Sequence, residues 1–249
     1  MNNLNEYELF EGREKFFRKK EDQALKLIPK NKYYIIRIDG KGFSKLTKKY
    51  FEKPYDVFFE TVMQEMTKYI LEKSGLKILF GYVQSDEVSF VVNYSDDSYS
   101  RKERKILSII PSLASSFFTQ KTGHICSFDS RIILMDNIDE IKEYINWRIQ
   151  DCERNCINNY AYSIVDNPKK LEGLSTPKKL ALFKEKDFDY STINKHEKYG
   201  SIIYFLEYQK KAYNKLSGKE VIVSRKKAHS KSADEMLDEI ENIIQKEIK

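Results

Sequence analysis

Three cysteines, three histidines, one tryptophan and five prolines are all that 249 residues hold of those types, and each shortage closes off a class of protein. Cys126, Cys152 and Cys156 are odd in number and lack framework spacing. That excludes a disulfide-stapled domain and points to a reducing compartment. Cys152, Cys156 and His124 invite a zinc reading, but no fourth ligand and no Cys-x-x-Cys spacing accompany them. No apolar run approaches a membrane span, and the opening MNNLNEYELFEGREK has no apolar signal core. The expectation is a soluble, cytoplasmic protein without a membrane partner. Internal repeats and low-complexity blocks are also absent. What remains is 41% hydrophobic and 33% charged with a formal net charge of +6, enough apolar content for a proper core. The mild basic excess is compatible with a nucleic-acid partner, though a well-solvated lysine surface gives the same figure.

The informative stretch runs from Tyr33 to Asn93. Tyr33–Ile38 is short, apolar and β-branched and stops at Asp39-Gly40, the pattern of a buried strand ending in a turn. Between Pro54 and Ser74, Val57, Phe58, Val62, Met66, Tyr69 and Ile70 recur at helical spacing, and Gly75 closes the helix. Lys77–Val83 and Val88–Val92 read as two further strands joined through Gln84-Ser85-Asp86-Glu87. If the three strands share a sheet, Asp39 and Asp86 converge on one spot. Converging carboxylates suit magnesium-like ions, which take oxygen ligands and leave positions open for substrate phosphates. Two such ions clamp the attacking and leaving oxygens of a nucleotidyl transfer. Polymerase and cyclase palms share this arrangement, which is an analogy of fold.

Ser127–Met135 supplies a fourth strand, after a helix over Tyr99–Lys121 that carries Pro111 in its interior. The order becomes β-α-β-β-α-β, so the expected class is α+β, a palm-like or ferredoxin-like antiparallel sheet with flanking helices. Residues 1–135 would hold N-terminal helices (over Tyr7–Ile28, with one packed face and one basic face) and this core. Residues 136–249 would form a C-terminal part packed on the palm. That part begins with a long helix, Asp139 to Val165, on which Arg148, Asp151, Asn155 and Asn158 make a polar stripe. Such a stripe either holds a base or ribose edge or is simply solvated. Ser201–Phe205 reads as an edge strand, Ser217-Gly218 as a hairpin turn and Arg225–Lys231 as a basic linker. Ser232 to Glu235 reads as a capping box opening a last amphipathic helix. Lys41, Lys45, Lys48, Lys49 and Lys53 crowd the segment after Asp39, where Gly40 and Gly42 allow a sharp turn and close approach to a ligand. They would supply counter-charge for a triphosphate.

Taken together, RIDGKGF (Arg37–Phe43), FEKPYD (Phe51–Asp56) and GYVQSDEVSFVV (Gly81–Val92) resemble the tRNA(His) guanylyltransferase family. YSRKERKILS (Tyr99–Ser108), SFDSR (Ser127–Arg131) and WRIQDCERNCINN (Trp147–Asn159) continue the match in order, with weaker echoes to Gly200. The closest resemblance is to its template-dependent branch, the guanylyltransferase-like 3′-to-5′ polymerases. Guanylyltransferases proper carry HINNLYN where this chain has Glu153 to Asn159, and another histidine where it has Ser44.

The resemblance implies a 5′ end of a tRNA activated by ATP, or already carrying a triphosphate. The 3′-hydroxyl of an incoming nucleoside triphosphate attacks that end opposite a template base. It implies two magnesium ions on Asp39, Asp86 and the carbonyl of Gly40, with Glu87 as a weaker or supporting carboxylate. It also implies nucleotide and phosphate contacts at Lys41, Gly42, Phe43, Lys53, Ser85, Arg101, Lys105, Arg131, Asn155 and Lys178, and a homo-oligomer, a tetramer by the family's habit. The alternatives are guanosine addition at position −1 of tRNA(His), a nucleotide cyclase, and a non-catalytic RNA-binding palm. A cyclase's glycine-rich GG[DE]EF-type hairpin is absent; the hairpin here reads QSDEVSF.

Overall fold

The computed structural model describes residues 3–23, 25–165, 167–213 and 218–246. Its centre is a six-stranded antiparallel sheet in the order β4-β1-β3-β2-β5-β6. Among the described residues a single N-terminal helix, α1 (Asn3–Asp22), stands where helices to Ile28 with a packed face were expected, and it leaves Phe10, Phe16 and Phe17 exposed. The first four strands are β1 (Tyr33–Gly40), β2 (Ile78–Gln84), β3 (Glu87–Val92) and β4 (Phe128–Met135). They stand in the interleaved order that β-α-β-β-α-β connectivity implies. Every residue of β3 is buried, and so is most of β1, because helices cover both faces of the sheet. That is why these strands are near-continuous apolar runs.

Even-numbered β1 residues, Tyr34, Ile36 and Ile38, pack under α3 (Val57–Lys73) and α4 (Glu103–Thr122). Odd-numbered Tyr33 and Ile35 face α5 (Ile138–Ile164). Asp56 caps α3, accepting a hydrogen bond from the Phe59 amide at 2.7 Å. Asn137 caps α5 in the same way, accepting from the Glu140 amide at 2.9 Å. Gly81 of β2 lies where α3 passes closest, and a Cβ there would come within 2.6 Å of the Thr67 methyl.

Several sequence expectations are corrected. The lysine-rich segment after Gly42 is a two-turn helix, α2 (Phe43–Tyr50), with Phe43 and Thr47 buried. The helix expected from Tyr99 starts only at Glu103, while Pro111 lies inside it as expected and is buried. Ser201–Phe205 is the start of β5 (Ser201–Tyr213), an inner strand paired with both β2 and β6 (Glu220–Ser232). The basic linker Arg225–Lys231 belongs to β6. The capping-box segment forms two short 3₁₀ turns, and the last helix starts only at Ile240, running to Lys246. The turn expected at Ser217-Gly218 falls partly outside the described residues.

Strands β5 and β6 thus continue the N-terminal sheet. α6 (Thr176–Glu185) and α7 (Lys195–Tyr199) pack on α5, where Phe183, Leu171, Ile157 and Ala161 form a small separate core. Among the described residues no helix is long and apolar enough to cross a membrane.

Candidate active site

Three chain segments meet at one end of the sheet. β1 ends at Asp39-Gly40, β4 begins opposite it at Phe128, and the β2–β3 hairpin turns there through Ser85-Asp86. Ser85 has φ 47°, the left-handed conformation that two-residue hairpin turns require. The Gly40 amide donates to the Asp86 carbonyl at 3.2 Å, tying the two loops together. Side-chain room is tight at this junction. A Cβ on Gly40 would run into the Phe43 ring and come within 2.8 Å of an Asp86 carboxylate oxygen.

Asp39 lies close enough to Asp86 for its charge to act on that carboxyl. Burial, together with the neighbouring Asp39 charge, pushes the Asp86 carboxyl up to about 6. The arginines nearby do not relieve this pair, because they serve Glu87. Register places Glu87 directly across from Asp39. Arg148 of α5 grips its carboxylate with two bonds of 2.8 and 2.9 Å, and Arg37 lies 3.6 Å away. Glu87, implied by the resemblance as a weaker or supporting carboxylate, is thus held in the cavity wall by two arginines. Arg148 also reaches Asp151 at 2.9 Å, so the stripe on α5 is bonded into the sheet at this end. Tyr82 reinforces the joint, its hydroxyl lying within hydrogen-bond distance of the Arg148 and Tyr199 carbonyls.

These groups line a cavity of about 530 Å³ between α3, α5 and the hairpin. Of the metal and phosphate contacts implied by the resemblance, Asp39, Lys53, Ser85, Asp86, Glu87 and Asn155 line it, and so do Arg148, Asp151 and Asn158 of the α5 stripe. Lys53 donates to the Thr47 hydroxyl at 2.8 Å. Burial lowers its pKa, while Asp86 and Asp56 sustain its charge. Asp56 holds the loop that presents it, accepting from the Glu52 and Phe59 amides.

The other expected contacts lie elsewhere. The Phe43 ring is core, packed against Phe59, Phe118 and Phe128. Lys41 and Gly42 are exposed, Gly42 standing at the start of α2. Lys105 is exposed on α4, and Arg131 pairs loosely with Asp129 at 3.6 Å on the open face of β4. Lys178 is exposed on α6, and its neighbour Lys179 bonds Asn158 of the stripe at 2.9 Å.

Arg101 departs furthest from expectation. It is 4% exposed, and its five N–H groups donate to the carbonyls of Ile28, Pro29, Lys32, Tyr94 and Asp96. A guanidinium so enclosed has nothing left for a phosphate. The cysteines are likewise structural. Burial pushes the thiols of Cys152 and Cys156 up to about 12, and no described trio of His, Cys, Asp or Glu is arranged to hold a metal ion.

The far wall of the cavity was not foreseen. Glu60, His196, Glu197 and Ser201 line it. Burial raises the pKa of both Glu60 and Glu197. His196 Nδ1 and the Ser201 hydroxyl are 2.8 Å apart. No spacing in the sequence links α3 to α7, so only the fold could reveal this wall.

The model of the family described as "Thg1: tRNAHis guanylyltransferase" matches residues 14–136, which include both acids and Lys53. The tRNA(His) guanylyltransferase of Schizosaccharomyces pombe is 35% identical over 153 residues, 58% of this chain and 58% of that protein's length. The Candida glabrata enzyme of the same name is 31% identical over 193 residues, 69% of this chain and 81% of its own. A solved structure, a bacterial tRNA(His) guanylyltransferase (Thg1)-like protein in complex with ATP, superposes with a TM-score of 0.71 at 26% identity, covering 76% of this chain and 87% of that one. With the palm-type sheet, the facing acids and these likenesses in agreement, the chain belongs to the tRNA(His) guanylyltransferase family of nucleotidyltransferases.

Proposed function

We propose that this protein adds nucleotides to the 5′ end of a tRNA, joining the 3′-hydroxyl of an incoming nucleoside triphosphate to an activated 5′ end. The observation that carries the reading is the Asp39–Asp86 pair. Its two carboxylates share one cavity edge, with the adjacent arginines committed to Glu87. That leaves an acidic pair with Lys53 beside it where hard cations and phosphates would meet, and the donor set fits magnesium: Asp39, Asp86 and the Gly40 carbonyl, completed by substrate oxygens. Bound there, two such ions would lower the attacking hydroxyl's pKa and steady the departing group, AMP from an adenylylated end or pyrophosphate from a triphosphate.

The protein's own groups do the rest. Lys53 holds a phosphate beside the acids, and Ser85, at the hairpin tip, offers a hydroxyl to it. Asn155 and Asn158 present amides that can donate to and accept from a base or ribose. Glu87, locked by Arg148, keeps the hairpin in register with β1. By resemblance alone, the reading also takes the enzyme as a cytoplasmic homotetramer.

Guanosine addition to tRNA(His) is the activity in the names of both relatives, and it is the first reading of the substrate. A second reading, template-dependent repair, rests on Ser44 and Glu153. Ser44 is exposed on α2, while Glu153 hydrogen-bonds Tyr199 at the contact of α5 with α7. Neither is the histidine of the guanylyltransferases proper, so base pairing would have to position the incoming nucleotide. The test compares kcat/KM on full-length tRNA(His) with that on a tRNA lacking its first 5′ nucleotide, varying the opposing base. Guanosine added whatever the opposing base is the result expected of the first reading. A nucleotide that switches with the opposing base, on the truncated tRNA, is the result expected of the second. No incorporation into either RNA would remove both.

A further inference from the structure

Most of the lysines that follow Asp39 are not used by the cavity. Lys53 lines it, but Lys41, Lys45, Lys48 and Lys49 are exposed outside it. Three of these stand on α2, FSKLTKKY, which has no acidic residue. The helix buries Phe43 and Thr47, so its lysines occupy the outer face.

Tyr50 ends this helix and is 47% exposed. His124 lies parallel to one face of its ring, 3.9 Å between centroids and 19° between planes. The Lys49 ammonium stands 4.8 Å from the ring centroid, and since His124 fills one face, it sits on the outer one. The aromatic row continues inward. Phe51 meets His124 edge-on at 6.1 Å and stacks with Phe58 at 6.4 Å. Phe58 is 54% exposed, and Phe51 lines the cavity itself. A strip of rings therefore begins at the cavity rim and runs out to α2, where Lys49 stands over the last ring and Lys45 and Lys48 share the helix.

We propose that this strip binds the unpaired 3′ strand of the RNA whose 5′ end occupies the cavity. The inference rests on the 5′-end reading above. Single-stranded RNA offers a phosphate and a flat π-face at each nucleotide, and a row of rings beside lysines meets both needs without reading sequence. A base settling on the outer face of Tyr50 would displace the Lys49 ammonium, which then lies beside that nucleotide's phosphate. Continuity chooses the strand. When a 5′ nucleotide is held in the cavity, its opposing strand leaves the same helix end, and Phe51 connects cavity to strip.

Equilibrium binding at fixed salt tests this with two RNAs: a whole tRNA and the same tRNA trimmed flush with its 5′ end. Wild-type protein is expected to bind the tailed RNA about tenfold tighter than the flush one. Tyr50→Ala, and separately Lys48→Glu with Lys49→Glu, should erase that difference while affinity for the flush RNA changes far less. The charge variants alter only exposed side chains and keep the test informative should Tyr50→Ala fold poorly. Equal binding of both RNAs by wild type, or an intact tenfold difference in the variants, overturns the proposal. So does a shift of the variants to a smaller species in sedimentation with the tail preference preserved, which would make the strip a contact between copies of the chain. Because no turnover is read, a protein that keeps the tail preference yet extends no 5′ end would refute the proposed reaction and leave this surface standing.

Discussion

Replacing Asp39 or Asp86 by alanine is expected to lower single-turnover nucleotide addition on the order of a thousandfold, about 4 kcal/mol of barrier, while tRNA affinity changes little. The expectation follows from place. Both carboxylates stand at strand ends whose position is fixed by the sheet register and by the Gly40–Asp86 backbone bond. Neither is needed to hold the fold, because Glu87, with its two arginines, ties the hairpin to β1 and α5. Burial, with the Asp39 charge added to it, pushes Asp86 up to about 6, and removing either acid relieves part of that cost, so the variants should melt no lower than wild type. Near-normal turnover in folded Asp39→Ala protein would show that the acids do not assemble the reaction. Loss of tRNA binding together with turnover would show that they act on the RNA instead.

The largest effect on stability should come from Arg101, a residue whose sequence context suggests a phosphate contact. Arg101→Met is expected to cost about 3–5 kcal/mol, because it strands several buried carbonyls whose donors all come from one guanidinium. Those carbonyls belong to the segment entering β1 and to the loop after β3, so one side chain closes both. The chain turns through positive φ at Tyr99, Ser100 and Arg101, a costly left-handed path that these bonds hold in place. For a domain of this size the melting temperature should fall by about 10 °C. Arg101→Lys should recover only part of the loss, since an ammonium cannot copy the five-donor fork. An unchanged melting temperature with a raised KM for nucleotide would return Arg101 to the role of phosphate ligand.

What the sequence made legible, and what it hid, follows from local physics. β1, β3 and β4 were readable because the core sets their composition. Tyr33–Ile38 and Val88–Val92 are β-branched and aromatic runs that only a covered sheet accommodates, and the acids at their ends stood out against them. α2 was not readable. Two turns dense in lysine offer Phe43 and Thr47 as their buried contacts, too few for a periodic signal. β6 was hidden for a different reason. Beyond Phe205 the β5–β6 ribbon is largely exposed on both faces, so nothing imposes alternation on Arg225 to Lys231. The cluster RKERK shows the limit most plainly. A buried arginine and a surface one have the same letter, and the left-handed turn that carries Arg101 inward leaves no trace in spacing. Cavity residues from α3 and α7, such as Glu60 and His196, meet only through the tertiary fold.

The most direct measurement locates the new bond. The protein is incubated with magnesium, α-labelled GTP and a tRNA bearing a 5′-triphosphate, and the RNA is digested to identify the labelled end fragment. The expected product carries one added nucleotide joined by a 3′–5′ phosphodiester to the original 5′ end, with no label in the RNA when Asp86→Ala protein is used. Label at the 3′ end, a cyclic nucleotide formed without RNA, or RNA that is bound but never extended would each contradict the proposed reaction.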